Sequence, residues 1–273
     1  MPVRALDIGI LTDEVSRDLA EAFEICGTWG ITRFELREGS TARFPGFTAA
    51  EVGLVEERVA AGNRVTAVSP GILKGHVEHE AQWRLELDET LPRALELGAR
   101  FGCPLLIVFG FERAEGESPR LRTNVMRVFE RVAREAEAAG MTVAVENEPN
   151  FWVDRALETT EMLRQIGHPG LKANWDPANS HWGGYVPEHA DFEALLPYIA
   201  NVHVKDHLPA DENAPWRPVG SGDTPWNDYL RWIIHETALE HVTLETHCRP
   251  LEESSRRSVE WLRDAIAGIE EEA

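Results

Sequence analysis

Residues 141–146 read MTVAVE, a short apolar run rich in branched residues that ends on a carboxylate. The stretch before it, 121–139, has apolar residues at helical spacing, and it is followed by Gly140, a residue type that commonly ends a helix. A helix next to such a strand is one part of a repeated β/α pattern. The same alternation continues in both directions along the chain.

Eight strand–helix pairs are predicted in this way. The strands are 5–11, 31–36, 64–69, 104–109, 141–146, 171–176, 200–205 and 241–245, and the helical stretches include 17–29, 49–61, 81–99, 121–139, 157–166, 226–237 and 252–269. Eight units in 273 residues average about 34 residues each, which is typical of a (β/α)8 barrel of roughly 250 residues. The sequence therefore predicts an α/β fold, a single-domain TIM barrel over residues 1–273.

The charge balance restricts the possible partners. The chain has 27 Lys and Arg against 47 Asp and Glu, a formal charge of −20. Binding to nucleic acid or to an anionic membrane needs clustered cations, so neither partner is expected. Three scattered cysteines, Cys26, Cys103 and Cys248, favour a reducing compartment, and the first residues lack a long apolar run. We expect a cytoplasmic protein.

Potential metal ligands stand at the ends of four consecutive predicted strands: Glu146, Asp176, His203 and Glu245. In barrels of this kind the chemistry lies at the carboxyl ends of the strands. Residues two apart in a strand point to the same side. The resulting same-side pairs are Glu146 with Glu148, Asn174 with Asp176, His203 with Lys205, and Glu245 with His247. We expect this polar side to face the barrel mouth and Trp175 to pack outward against helices.

Three carboxylates brought together without a cation would repel one another and take up protons, and a divalent metal removes that conflict. A single acid at a strand end is more often a helix N-cap, and a lone histidine in a strand is more often a core residue. The joint pattern favours a metal site. One imidazole and three carboxylates suit Mn²⁺, Mg²⁺ or Co²⁺, with Zn²⁺ possible. The ligands do not name the metal, and Mn²⁺ is the ion we expect first.

Other polar residues near these strand ends are candidates for work on a substrate. Lys205 shares a strand side with His203; beside a cation its pKa should be lowered, so that it could protonate a leaving hydroxyl. The alternative is a structural ion pair of Lys205 with Glu146 or Asp206. We expect His181 and His247 to orient substrate and Trp182 to stack on a sugar face. Glu35 and Arg37 form either an ion pair or the far wall of the pocket.

Five stretches resemble a known superfamily: VAVENEP (143–149), NWDPAN (174–179), NVHVKD (201–206), PVGSGDTPW (218–226) and VTLETH (242–247). They resemble the sugar phosphate isomerase/epimerase superfamily, the xylose-isomerase-like barrels that include ketose 3-epimerases, inosose dehydratase, 3-dehydroshikimate dehydratase and endonuclease IV. The resemblance implies that Glu146, Asp176, His203 and Glu245 hold one divalent cation. It also implies that Glu146 and Glu245 are the acid/base pair, and it suggests a homodimer.

The chain departs from relatives in this superfamily at two points. Asn179 stands three residues after Asp176, where some epimerases carry a substrate-binding histidine, so we expect Asn179 to contact substrate differently. The fourth predicted strand, PLLIVFGF, has no histidine for the multi-metal cluster of endonuclease IV, which argues with the acidic charge against DNA repair. Glu148 and Arg217 are the remaining candidates for substrate binding; Arg217 suits a hydroxyl, carboxylate or phosphate.

The expected activity is isomerisation or epimerisation of a sugar or related polyhydroxy carbonyl compound, by proton abstraction beside a carbonyl through a metal-stabilised enediolate. Glu146, Glu245 and Lys205 are the predicted catalytic residues. A metal-dependent dehydratase of the inosose or 3-dehydroshikimate type uses the same residue types, and a catalytically silent sugar-binding barrel is a third alternative. The sequence does not decide among them.

Overall fold

A computed structural model describes residues 6–209 and 215–272. Eight parallel strands close into a barrel. They are β1 (Asp7–Leu11), β2 (Arg33–Leu36), β3 (Arg64–Val68), β4 (Leu105–Val108), β5 (Thr142–Glu146), β6 (Leu171–Trp175), β7 (Ile199–Val204) and β10 (His241–Leu244), while β8 (Asp206–His207) and β9 (Trp216–Arg217) form a separate hairpin. The spatial order around the barrel is β1-β10-β7-β6-β5-β4-β3-β2. The eight predicted strands are confirmed to within two residues at their ends. Residue 5, where the first was predicted to begin, lies outside the described residues.

Ten α-helices are found in the described part of the chain. They are α1 (Leu19–Thr28), α2 (Ala49–Ala60), α3 (Glu80–Leu85), α4 (Leu91–Arg100), α5 (Arg120–Ala138), α6 (Ala156–Ile166), α7 (Pro177–Trp182), α8 (His189–Leu195), α9 (Trp226–Glu236) and α10 (Leu251–Glu271). None of them is long and apolar enough to cross a membrane. The glycines after two of the predicted helices have positive φ: 76° at Gly140 and 67° at Gly167.

Two helical regions differ from the prediction. The stretch 81–99 is not one helix, since a π-helical turn, Glu86–Thr90, separates α3 from α4. Pro92, in the first turn of α4, has no N–H to donate to the preceding turn, so the regular α-helical ladder is interrupted there. Between β6 and β7, where the sequence analysis gave no helix bounds, the chain forms the short helices α7 and α8.

The packing of Trp175 shows which side of β6 faces the helices. Its ring is buried and lies 5.2 Å from the ring of Phe192 in α8 and 5.3 Å from that of Tyr229 in α9. Trp175 therefore packs outward, as predicted. Asn174, one residue earlier, points into the barrel and accepts a 3.0 Å hydrogen bond from the side chain of Asn201. The alternation of β6 thus delivers Asp176 to the inner side of the mouth.

A small hairpin covers one side of the mouth. The strands β8 (Asp206–His207) and β9 (Trp216–Arg217) pair antiparallel, so the predicted irregular segment 209–225 contains a strand; its residues 210–214 lie outside the described part. The carboxylate of Asp206 accepts hydrogen bonds of 2.9 Å from the backbone N–H groups of Gly220 and Gly222. These bonds hold the loop after β9 against Asp206 of the hairpin.

Candidate metal centre

The four side chains predicted from the strand ends converge at the mouth. Glu146 ends β5, Asp176 follows β6, His203 lies in β7, and Glu245 follows β10. Each offers one ligand atom, and these atoms all lie within 4.8 Å of one another. All four residues are buried. The strand order explains the meeting, because β5, β6, β7 and β10 are consecutive around the barrel.

His203 uses its two ring nitrogens differently. Nε2 lies 2.9 Å from Oε2 of Glu35. Nδ1 lies 3.5 Å from Oε1 of Glu146 and 3.4 Å from Oε2 of Glu245, yet it has no well-oriented hydrogen bond among the described residues. Burial alone would lower the pKa of His203, but the three carboxylates outweigh it and raise the pKa well above its ordinary value. An unsatisfied buried nitrogen among carboxylates fits a divalent cation.

Asp176 is both a helix N-cap and a candidate metal ligand, the two roles considered above for an acid at a strand end. Its Oδ1 accepts a 2.8 Å hydrogen bond from the backbone N–H of Asn179 and caps α7. Its Oδ2 remains on the side of the site. The side chain of Asn147 holds the backbone of Asp176 at both ends, with 2.8 Å bonds to its carbonyl and from its N–H. The capping interaction therefore fixes the carboxylate of Asp176 with Oδ2 towards the candidate site.

Asn179, predicted to contact substrate, hydrogen-bonds to Glu146. Its side-chain amide donates to Oε1 of Glu146 at 3.3 Å and to the carbonyl of Asn147 at 2.9 Å. Both donors of the amide are thereby used within the protein. Burial alone would raise the pKa of Glu146, but the charge of His203 outweighs it and lowers the pKa.

Lys205 lies among the carboxylates. Its Nζ is 2.8 Å from Oδ2 of Asp176 and 2.8 Å from Oε2 of Glu245. Burial alone would lower the pKa of Lys205, but these charges raise it. The lowered pKa was predicted beside a bound cation and stays a prediction. Its partners also differ from the suggested ion pair with Glu146 or Asp206, because the carboxylate of Asp206 faces the loop amides. Lys205 carries its proton at this position.

A cavity of about 330 Å³ opens over these residues. The predicted site residues that line it are Glu146, Glu148, His203, Lys205, Glu245 and His247. The remaining predicted site residues are not part of the cavity lining: Asp176, Asn179, His181, Trp182 and Arg217. His181 is 3.4 Å from the hydroxyl of Thr224, and the ring of Trp182 packs edge-on against Trp216 at 5.5 Å. Arg217 donates to the carbonyl of Trp216.

Charged residues whose arrangement the sequence left open line the far wall of the cavity. Glu35 and Arg37 both line it and do not pair with each other. Arg37 contacts Glu245 and donates to Asp13 at 2.7 Å and to Glu14 at 2.6 Å. The sequence carried a signal for Asp13 and Glu14, since they come two and three residues after the end of β1. They extend the ring of strand-end residues across the mouth.

His247 and Glu148 are held beside the predicted ligands. Nδ1 of His247 is 3.2 Å from Glu14, and Nε2 is 3.2 Å from Glu245. Burial alone would lower the pKa of His247, but these carboxylates raise it to about 9. Oε1 of Glu148 lies 3.3 Å from Nζ of Lys74, and burial raises the pKa of Glu148.

Trp216 is an aromatic residue beside the candidate site that the sequence did not indicate. Nζ of Lys205 lies 5.2 Å from the centre of the Trp216 ring, and the ring of His247 lies 5.6 Å from it. Trp216 occupies an irregular segment in which no periodic pattern indicates where a side chain points. It places an aromatic face beside Lys205.

Comparison with known proteins identifies related folds. Residues 23–265 match a family model described as a xylose isomerase-like TIM barrel. The probable 3-DHS dehydratase AsbF from Bacillus anthracis has a similar structure, with a TM-score of 0.79 and 17% identity over 94% of this chain and 99% of that one. The D-allulose 3-epimerase from Methylomonas sp., solved with D-allulose, gives a TM-score of 0.73 and 13% identity over 96% and 98%.

The IolI protein with a bound zinc atom is a third similar structure. It gives a TM-score of 0.78 and 14% identity over 97% of this chain and 99% of that one. At such identities these structures show a common fold. No curated protein sequence matches the chain significantly.

Proposed function

The chain belongs to the xylose isomerase-like TIM barrel family, and from that premise we propose that it is a divalent-metal-dependent isomerase or epimerase of a sugar or related polyhydroxy carbonyl compound. The observation that carries the proposal is the convergence of one imidazole nitrogen and three carboxylates within 4.8 Å at the mouth of the barrel. The position of Nδ1 of His203 supports it: this nitrogen lies 3.5 Å from Glu146 and 3.4 Å from Glu245 without a well-oriented hydrogen bond, so a cation between these groups would use the nitrogen and both carboxylates.

Glu146, Asp176, His203 and Glu245 would hold the cation. A cation bound there would supply Lewis-acid polarisation of a substrate carbonyl. The oxygen-rich ligand set favours Mn²⁺, with Mg²⁺, Co²⁺ or Zn²⁺ as alternatives. Because the similar IolI structure holds a zinc atom, any metal-binding experiment should include Zn²⁺.

Glu146 and Glu245 are the proposed acid/base pair. They come from β5 and the end of β10, and each lies within 3.5 Å of Nδ1 of His203. Burial alone would raise the pKa of Glu245, but Lys205 and His247 lower it well below its ordinary value. Both carboxylates are therefore ionised near neutral pH and able to accept a proton. One would take the proton beside the carbonyl, and the other would return one from another direction.

A dehydratase is the second candidate, and Lys205 is the observation that favours it. Its protonated Nζ is held at 2.8 Å from two carboxylates beside the cavity. From that position it could protonate a leaving hydroxyl, provided that a bound substrate lowers its raised pKa. The likeness to the probable 3-DHS dehydratase from Bacillus anthracis adds that reaction to the set worth testing.

Solvent exchange separates these activities. Metal-stripped protein reconstituted with Mn²⁺ is incubated in D₂O with a panel of ketoses, inososes and 3-dehydroshikimate. We expect deuterium at the carbon beside the carbonyl, and loss of this uptake in Glu146→Gln and Glu245→Gln. Glu56→Gln, an exposed acid paired with Arg100, is the matched control. Loss of water, seen as a new enone absorbance for an inosose or an aromatic absorbance for 3-dehydroshikimate, would instead establish the dehydratase. Metal binding without either reaction would indicate a sugar-binding barrel.

Metal binding itself is tested by titrating Mn²⁺ into the stripped protein. One site that disappears in Asp176→Ala is expected, because this substitution removes a ligand and the α7 cap together. Binding that survives in Asp176→Ala, or no binding to the wild type, contradicts the proposed centre.

We also propose a cytoplasmic location, supported by the free cysteines Cys26, Cys103 and Cys248. Burial raises the pKa of Cys26 and of Cys103 to about 12, so these thiols are suited to packing rather than to reaction. The homodimer stays a prediction, which light scattering of the purified protein tests.

A further inference from the structure

Arg43 is a cavity-lining cation whose charge is poorly matched by carboxylates. Among the described residues its closest carboxylate is that of Glu38, 4.0 Å away. Arg37, which lines the same cavity, has three carboxylates in direct contact. Burial and the nearby Arg37 lower the pKa of Arg43 in spite of Glu38. An anion brought next to Arg43 would therefore be attracted by an incompletely compensated charge.

The position of Arg43 is fixed by the structure around it. A backbone bridge pairs Glu38 with Arg43 in the loop after β2, closed by the 2.9 Å bond from Gly39 N to Ala42 O. The Nε and Nη2 atoms of Arg43 donate to the carbonyl and the hydroxyl of Ser69, both at 3.2 Å. These bonds hold the guanidinium against the loop after β3.

Gly71 makes room for this guanidinium. Its φ is 76°, and a Cβ at this position would lie 2.4 Å from Nε of Arg43. Only glycine combines that backbone conformation with so close an approach. The loop after β3 is thus shaped around the Arg43 side chain.

The cavity connects Arg43 to the metal centre. Arg43, Glu146, His203 and Glu245 all line it, and the charge of Glu146 acts on the pKa of Arg43. Lys74, another of the cations that line this cavity, has its Nζ 3.8 Å from the centre of the Phe109 ring. One molecule in this cavity can therefore reach the proposed catalytic carboxylates and Arg43 together.

We propose that the substrate carries an anionic group, a carboxylate or a phosphate, which Arg43 binds while the polyhydroxy carbonyl part of the same molecule lies against Glu146 and Glu245. The proposal rests on the function proposed above and narrows its substrate class. A guanidinium binds either anion with paired N–H donors, so the chemistry that the two groups share is what Arg43 recognises.

The test compares matched probes on the Mn²⁺-reconstituted protein by calorimetry. D-Gluconate and D-glucitol differ by a carboxylate, and D-glucitol 6-phosphate and D-glucitol differ by a phosphate. We expect at least one anionic probe to bind about tenfold more tightly than D-glucitol, and Arg43→Gln to remove that preference. Glu38→Gln should strengthen binding of the anion, because it removes the nearest carboxylate. Arg100→Gln, which changes the charge equally at a distant surface pair, should have no effect.

The outcomes distinguish the two proposals. Preference for gluconate identifies a carboxylate as the anion, and preference for the phosphate ester identifies a phosphate. If neither anionic probe binds more tightly than D-glucitol, or if Arg43→Gln keeps the preference, Arg43 does not bind the substrate anion. If the bound cation alone held gluconate, Arg43→Gln would keep the preference for gluconate. The Mn²⁺ titration is separate: if the wild type binds no Mn²⁺, the proposed function is wrong, whatever the probes show.

Discussion

The Nε2 atom of His203 lies 2.9 Å from Oε2 of Glu35, and both side chains are almost completely removed from solvent. The two residues come from β7 and β2, so the hydrogen bond crosses the inside of the barrel. It fixes the orientation of the ring, and Nδ1 then faces Glu146 and Glu245. A carboxylate behind a histidine is a common way to hold the tautomer that binds metal.

Removal of Glu35 should therefore weaken metal binding without removing a ligand. We expect Glu35→Ala to raise the Kd for Mn²⁺ by about 10–100-fold, because the ring loses the partner of Nε2. Glu35→Gln should lose less, since its carbonyl oxygen can still accept from Nε2. Calorimetric titration of the stripped proteins measures both. Equal affinities of Glu35→Ala and the wild type would show that other contacts orient the ring.

His241, at the end of the barrel opposite the proposed metal centre, should make the stability of the protein depend on pH. Burial and the nearby Arg33 lower the pKa of His241, at the start of β10, to about 4. Below about pH 6.5 the unfolded chain takes up a proton that the folded protein does not. Stability is therefore lost as the pH falls from 6.5 towards 4.

Between about pH 7.5 and about pH 5, metal-free wild type should lose about 2 kcal/mol more unfolding free energy than His241→Gln. Urea unfolding at the two pH values measures the difference. His235→Gln, an exposed histidine of α9, should follow the wild type. A wild type and His241→Gln with the same pH dependence would contradict the prediction.

Gly110, just after β4, should be fixed by packing. A Cβ at this position would lie 2.0 Å from Cγ2 of Val153, a fully buried residue. Gly110→Ala should cost about 1–3 kcal/mol by overpacking. Val153→Ala should cost about 1–3 kcal/mol by leaving a cavity. In the double variant the new methyl fills space that Val153 vacates, so we expect a favourable coupling of about 1 kcal/mol or more in urea unfolding. Additive losses would show that the clash is relieved elsewhere.

The features that could be predicted from the sequence are those that depend on local periodicity. The strand containing MTVAVE could be found because its apolar residues and terminal carboxylate lie within six positions. Once eight such strands imply a closed barrel, the meeting of Glu146, Asp176, His203 and Glu245 follows from the parallel arrangement alone. Asp13 and Glu14 obey the same rule after β1 and could have been included.

Interactions made by loops were not predictable in the same way. Arg43 and Trp216 lie in segments without periodicity, and their positions depend on Ser69 and on the β8–β9 pairing, which are distant in sequence. Asn179 was assigned from its distance to Asp176, but the turn of α7 directs its amide to Glu146. The partners of Lys205 follow from three-dimensional contacts between different strands.

Those partners lead to opposite expectations for Lys205→Met in the absence and presence of metal. In Lys205→Met the carboxylates of Asp176 and Glu245 would lose their ammonium partner and stay buried next to Glu146. Removing one partner of a buried ion pair costs about 3–5 kcal/mol of unfolding free energy. Metal-free Lys205→Met should therefore unfold at a lower temperature than the wild type. The same loss of positive charge beside the ligands should favour cation binding, so Mn²⁺ should raise the Tm of Lys205→Met more than that of the wild type.

A surface lysine, Lys172→Met, provides the matched control for this experiment, because its Nζ donates to the carbonyl of Pro197 and lies far along β6 from the mouth. Thermal unfolding with and without Mn²⁺ gives both quantities in one series. An equal Mn²⁺-induced rise in Tm for Lys205→Met and the wild type would mean that the ammonium group does not compete with the cation for Asp176 and Glu245. A smaller rise would mean that Lys205 helps to hold the ligands in place for the metal.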